Sequence, residues 1–118
     1  MAVSRILDVT NELNDNSIAV LDIGGWDNAV VQLVSPTGTF TFNSSNDSGA
    51  ITGVSDGSSA SATNWIATQG TNLNSGAAVT TLATGGIVRF GVIGQYLQIS
   101  GAAAATVAKA IVRLYKIN

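Results

Sequence analysis

NAVVQLVSPTGTFTFNSSND, residues 28–47, holds two apolar runs of strand length joined by Ser35-Pro36-Thr37-Gly38. Pro favours the second position of a four-residue turn and Gly the fourth. The stretch therefore reads as a β-hairpin, NAVVQLV followed by TFTFNSS. Its second half is the cleanest alternation in the chain. Phe40 and Phe42 point one way, and Thr39, Thr41 and Asn43 point the other.

Upstream, Ala2 to Val9 is a short apolar run interrupted by Arg5 and Asp8, read as an edge strand. Thr10 to Asn16 is polar and Asn-rich. A helical cap fits its start, but no apolar periodic run follows, so the segment reads as a turn or loop. Ser17 to Ile23 is a strand apolar on both faces, with Ile18 and Val20 on one and Ala19, Leu21 and Ile23 on the other. Such a strand is covered on both sides. Gly24 to Asp27 is a turn.

Downstream, Asn43 to Gly49 is dense in turn residues, Ala50 to Val54 reads as a short strand and Ser55 to Thr63 as an exposed loop. Asn64 to Gln69 is a strand that places Trp65 in the core. Gly70 to Gly76 is turn-rich, and Ala77 to Thr84 is a small-residue strand. Ile87 to Ile93 puts Val88, Phe90 and Val92 on one face and Arg89 on the other. Gln95 to Ser100 points Leu97 and Ile99 inward. Residues 102–117 fit two patterns. A helix would carry Val107, Ala110, Ile111 and Leu114 on one stripe, whereas a strand would alternate Ala110, Val112 and Leu114 with Ile111, Arg113 and Tyr115. The β-branched and aromatic ending, IVRLYKI, favours a strand over 106–117. Eight or nine short strands at close spacing point to an all-β chain, an antiparallel β-sandwich or jelly roll, forming one domain over residues 1–118.

Composition narrows the function. The 118 residues include no Cys and no His, so disulfides, Cys-based metal sites and the commonest general base are missing. Without them only a Lys or a carboxylate could activate one of the many Ser and Thr hydroxyls, and both lysines lie in the last ten residues. Most of the acids sit beside Asn and Gly, where turn formation is the ordinary role. The expectation is therefore no enzyme and no cofactor. Asp47 and Asp56 flank one polar stretch, and Asn11 to Asn16 forms a second oxygen-rich cluster. Neither has the spacing of a dedicated Ca²⁺ loop, so no metal is expected. Gly24-Gly25 and Gly85-Gly86 lack a phosphate-binding pattern. No apolar run is long enough for a membrane span, and the N-terminus has no signal-peptide pattern, so synthesis in a cytoplasm is expected.

Charge is sparse, at 10% of residues against about 25% in an ordinary soluble domain. A net charge of −2 speaks against nucleic acid. The distribution is lopsided. Residues 1–60 hold all seven acids and one base, Arg5, for a net −6, whereas residues 61–118 hold Arg89, Lys109, Arg113 and Lys116 and no acid. Two readings stand: pairing between chain ends that meet in one sheet, or a dipolar subunit whose acidic face meets a neighbour's basic face. Trp26, Trp65 and Tyr96 are the aromatic residues that could stack on a sugar. Trp26, in its Gly-rich turn, is the better exposed contact.

The order of these features resembles a family of small β-sandwich proteins found on tailed bacteriophage particles. The resemblance rests on VVQLVSPTGTFTFNSSNDSG (Val30–Gly49), NW (Asn64-Trp65), GGIVRFGV (Gly85–Val92) and AIVRLYKI (Ala110–Ile117), and it runs from about residue 28 onward. A Ser-rich insertion, Ala50 to Thr63, separates the Asn-Asp turn from the Trp that usually follows it closely. The resemblance implies a virion structural protein, foremost a capsid decoration or cement protein on the capsid surface. Its partners would be the major capsid protein and copies of itself, with a trimer as one form. Trp26, Ile111 and Tyr115 are the expected interface residues. The alternatives are a carbohydrate-binding or adhesion module of a tail or fibre tip, and a tail or neck subunit.

Overall fold

The computed structural model describes residues 2–46, 54–56, 64–91 and 95–117. It is an antiparallel β-sandwich with one short helix. The elements are β1 (Ala2–Asp8), α1 (Thr10–Asn16), β2 (Ile18–Asp22), β3 (Asn28–Val34), β4 (Phe40–Ser45), β5 (Val54–Asp56), β6 (Ile66–Ala67), β7 (Gly70–Asn72), β8 (Ala78–Val79), β9 (Thr81–Leu82), β10 (Gly86–Phe90), β11 (Tyr96–Gly101) and β12 (Lys109–Ile117). Sheet A runs β1-β12-β3-β10-β7-β8. Sheet B runs β5-β2-β11-β4-β6, with β9 also paired to β4.

A simple rule organises this order. β1 pairs with β12, β2 with β11, β3 with β10 and β4 with β9. The chain is thus one long hairpin, wrapped so that successive levels fall in alternate sheets, which is the jelly-roll arrangement. The short strands β5 to β8 extend the sheet edges, and β7 with the division of residues 77–84 into β8 and β9 brings the number among the described residues to twelve where eight or nine were expected. Among the described strands, β7–β8 is the one neighbouring pair consecutive in sequence.

That topology corrects the reading of residues 28–47. The two runs are strands, and Phe40 and Phe42 are fully buried, but they do not form a hairpin. β3 lies in sheet A and β4 in sheet B. Two-residue hairpins need primed turns, whose first central residue has φ above zero. Pro36 stands at that position and its ring holds φ near −65°. The connection instead arches between the sheets, with Ser35 at φ 49° and Gly38 at φ 89°. Thr37 anchors it by exchanging backbone hydrogen bonds with Thr106, at 2.7 and 3.0 Å. Alternation names the buried face of a strand. It is silent on which strand lies alongside.

The inward residues close one core: Ala19, Leu21 and Ile23 of the β2 segment, Leu97 and Ile99 of β11, and Phe40 and Phe42 of β4 face Ala29, Val31 and Leu33 of β3, Val88 and Phe90 of β10, and Ala110, Val112 and Leu114 of β12. Residues 109–117 are strand, as their β-branched ending favours. Val20 is fully buried on the other side of β2, so that strand is covered on both faces as expected.

Thr10–Asn16 is a helix, not the expected loop. No amphipathic stripe announced it, because one apolar residue, the fully buried Leu13, suffices to anchor its two turns. Polar side chains supply the rest. Asn14 acts as a surrogate strand partner: its Nδ2 donates to the Val107 carbonyl and its Oδ1 accepts from the Val107 N–H, both at 2.9 Å. Ser17, in the left-handed region, ends the helix by donating its N–H to the Leu13 carbonyl. Truncation in Asn14→Ala is expected to cost about 1–2 kcal/mol in urea unfolding, the loss of two partly buried hydrogen bonds offset by better helix propensity.

Other segments shift. Ala77–Thr84 is split, with β8 in sheet A and β9 in sheet B. The turn-rich stretch from Gly70 contains β7. Of the Asn64–Gln69 strand only β6 is extended, and Trp65 is half-buried outside the core cluster. Most of the Ala50–Val54 strand, the Asn46-Asp47 turn beyond Asn46 and residues 57–63 of the Ser55–Thr63 loop lie outside the described residues, while Ser55 and Asp56 belong to β5 and not to a loop.

Candidate functional site

Alternation gives sheet A an outer face as well as an inner one. Register fixes what it carries. One row across the sheet reads Ile6, Arg113, Val30, Arg89 and Thr71. The next reads Asp8, Ile111, Gln32 and Ile87. Tyr115 pairs with Ser4 and Asn28 in a third row. Val30, Gln32, Ile87, Ile111, Arg113 and Tyr115 line a shallow hollow of about 240 Å³. A second hollow of about 300 Å³ shares Gln32 and Ile87 with it and continues to Val34, Asn74 and Gly85-Gly86. Ile6 is 54% exposed and Val34 39%. No described element is layered over this face, since α1 meets the start of β12 at the end of the sandwich, through Thr10 and Asn14. Among the described residues, this is a sheet face with several partly exposed apolar side chains and no covering layer.

Two of the three expected interface residues stand here. Ile111 is half-buried between Asp8 and Gln32, and Tyr115 lies beside Arg113, whose guanidinium carbon is 6.0 Å from the ring centroid. Trp26 is placed elsewhere. It is half-buried against the core in the turn between β2 and β3, its N–H donated to the Ile23 carbonyl. Ile6, Val30, Ile87, Arg89 and Arg113 complete the face and were not singled out by sequence. The signal was present in IVRF and VVQLV, where apolar residues occupy the positions between core residues.

Among the described residues no direct ion pair joins the chain ends, although Lys109 of β12 acts on Asp8 of β1 at longer range. β1 and β12 lie side by side, yet no ion pair within 4.0 Å joins Arg89, Lys109 or Arg113 to an acid among the described residues. Asp8, on the same face, is held by Thr10. Its Oδ1 accepts from the Thr10 hydroxyl at 2.6 Å and the Thr10 N–H at 3.0 Å, while the Thr10 hydroxyl accepts from the Ala110 N–H. The hydroxyl contact first, then the backbone N–H, with Lys109 a smaller influence, holds the Asp8 carboxyl below its ordinary value. A depressed carboxylate contributes stability that is present above the ordinary pKa of about 3.9 and lost as pH falls through the folded value. Thr10→Val should therefore raise the Asp8 midpoint in an NMR titration of the side-chain carboxyl, towards that of a free aspartate.

Sheet B presents a different outer face. Asn43 Nδ2 donates to Gln98 Oε1 at 2.8 Å, and Gln98 is buried. Asp22 Oδ1 accepts from Gln95 Nε2 at 2.5 Å and from the Gly24 N–H. Tyr96 pairs with Ser45, and Trp65 directly precedes β6, whose Ile66 pairs with the neighbouring Ser44. Two of the candidate sugar-stacking aromatics thus share one region, and Trp26 is not with them. The Trp65 indole N–H is buried with no hydrogen-bond acceptor. Among the described residues no three acids cluster as a metal site would require. Asp47 lies outside them, as does the side chain of Asp56.

The chain matches no protein-family model and no curated protein sequence. Its fold is similar to that in the crystal structure of the SPBc2 prophage-derived protein YomS, with a TM-score of 0.65 over 98% of this chain and 96% of that one. At 11% identity the likeness is one of fold.

Proposed function

We propose that this chain is a bacteriophage virion structural protein, specifically a capsid decoration protein that works through protein–protein contacts and carries out no catalytic step. The outer face of sheet A carries the proposal. It offers Ile6, Val30, Ile87, Ile111 and Tyr115 between arginines, with no described element above it. The packed sandwich beneath holds that face's side chains in place, as a module that adheres to a shell requires. The likeness in fold to a prophage-derived protein supports the phage setting, and the sequence resemblance to phage-particle sandwiches supports the virion role. The partners in this reading are the major capsid protein and copies of this chain.

The test is co-sedimentation of the purified chain with capsids of the phage that makes it. Saturable binding that Ile87→Asp with Ile111→Asp abolishes supports the reading. Failure to bind any capsid form overturns it. A second reading, an adhesion module, is favoured by one observation: Trp65 directly precedes β6 and Tyr96 opens β11, and both strands pair with the end of β4 in sheet B. It predicts retardation on host polysaccharide that Trp65→Ala removes and the sheet A variants leave intact.

A further inference from the structure

We infer that the Arg89–Arg113 row of the sheet A face takes a second copy of this chain, docked so that helix α1 of one molecule meets that row of the next in a closed ring, beside the Ile87–Ile111 row. This rests on the reading of that face as a protein-binding surface.

The first reason is an inventory of charge. Among the acids whose side chains are described, Asp8 is held by Thr10, Asp22 by Gly24 and Gln95, and Asp27 has a partner of its own. Glu12 and Asp15 remain without a hydrogen bond or ion pair. Both lie on α1, three residues apart, and so on neighbouring positions of one side. Of the five bases, Lys109 lies near Asp8, while Arg89 and Arg113 flank Val30 on the strands either side of it. Two strand spacings set them about 10 Å apart. The Arg113 guanidinium stands 6.0 Å from the Tyr115 ring centroid, and among the described residues neither arginine has an acidic partner.

The second reason is direction. α1 closes one end of the sandwich, tied to residues 107 and 110 through Asn14 and Thr10, whereas the arginines stand on a broad face. Glu12 and Asp15 therefore stand on a different side of the molecule from Arg89 and Arg113, and Asp8, the acid on the basic face, is engaged by Thr10. A two-fold contact between sheet A faces is also disfavoured. A dyad near Val30 would set the arginines of one copy against those of the other, and like charges placed opposite are repelled. A head-to-tail contact joins unlike patches, and such contacts are stable as finite assemblies when they close into rings of more than two copies. Ile6, Ile87 and Ile111 would be dried at its margin.

Charge reversal in pairs tests this. In native mass spectrometry and sedimentation at low ionic strength, the wild type should run as a ring and fall towards the 11.9 kDa monomer as salt rises. Arg89→Glu with Arg113→Glu should be monomeric, as should Glu12→Lys with Asp15→Lys, each with unchanged circular dichroism. All four substitutions together should restore the ring. A wild type that is a monomer or a two-fold dimer overturns the inference. So does a ring that survives either pair, or a four-fold variant that stays monomeric when both pairs are. Capsid binding is read separately. A monomer that binds capsids overturns the self-contact alone, whereas a ring absent from every particle overturns the virion role alone.

Discussion

Phe42→Ala should destabilise the protein by about 3–5 kcal/mol, the range for truncating a fully buried aromatic. The size follows from where the ring sits. Phe42 belongs to β4 in sheet B, and its ring meets Phe90 of β10 in sheet A edge-on, at a centroid distance of 5.1 Å and an interplanar angle of 61°. Both residues are fully buried, so the pair is a direct bridge between the layers. Removing one ring opens a void between two sheets. β4 cannot shift alone into it, because the Phe42 N–H is held by the Thr80 carbonyl and its carbonyl by the Thr68 N–H. The melting temperature should fall by about 12–20 °C for a chain of this size. Phe90→Ala should behave alike, and the double variant should lose less than the sum, by about 0.5–1.5 kcal/mol of ring–ring coupling. A melting shift of only a few degrees for Phe42→Ala would contradict this picture of the core.

The second large effect is on association. Ile87→Asp with Ile111→Asp should weaken binding to the partner at least about hundredfold, since charge carried into a dry contact costs several kcal/mol per site. The two isoleucines flank Gln32 from either side in one row of the outer face. Neither belongs to the buried core, so the fold should survive. Aspartate is a poor strand former, with a cost of up to about 1 kcal/mol. Ile87→Thr with Ile111→Thr therefore serves as the companion, keeping β-branching and melting temperature while still weakening the contact. Isothermal titration against capsids, or sedimentation of the chain alone, reads the loss. Unchanged association in both variants would remove this face from the interface.

How far the sequence carried the fold is clearest at residues 28–47. Alternation identified Phe40 and Phe42 as core and set both strands, because a side chain's face depends on its own strand alone. Pairing depends on the rest of the chain, and the wrapped hairpin gives β3 the distant partners β10 and β12. Pro36 carried the clue, since its fixed φ suits an arch better than a hairpin. α1 was hidden for another reason. Its stability comes from Leu13 and from Asn14 reaching a residue 93 positions away, and neither leaves a periodic trace.

The site was legible in part. Ile111 and Tyr115 stood out because their strand is apolar on both sides, and the structure puts both on the open face. Trp26 was favoured for its Gly-rich turn, yet it is packed against the core, because a large ring beside the end of a sandwich finds apolar cover there. Ile6, Val30 and Arg89 joined the face through register, which follows from the pairing that the sequence left open. The division of charge between the two halves of the chain was visible from the start. Only the fold showed that Arg89 and Arg113 share a face while Glu12 and Asp15 stand on a helix at the sandwich's end.

A reconstruction of the intact particle by cryo-electron microscopy tests the contact role of sheet A most directly. Density for this chain should lie on the capsid surface, with Ile87, Ile111, Arg113 and Tyr115 covered by another polypeptide and sheet A turned towards the contact. A particle without the chain, or one in which it is bound through sheet B with these four side chains open to solvent, would contradict the proposal.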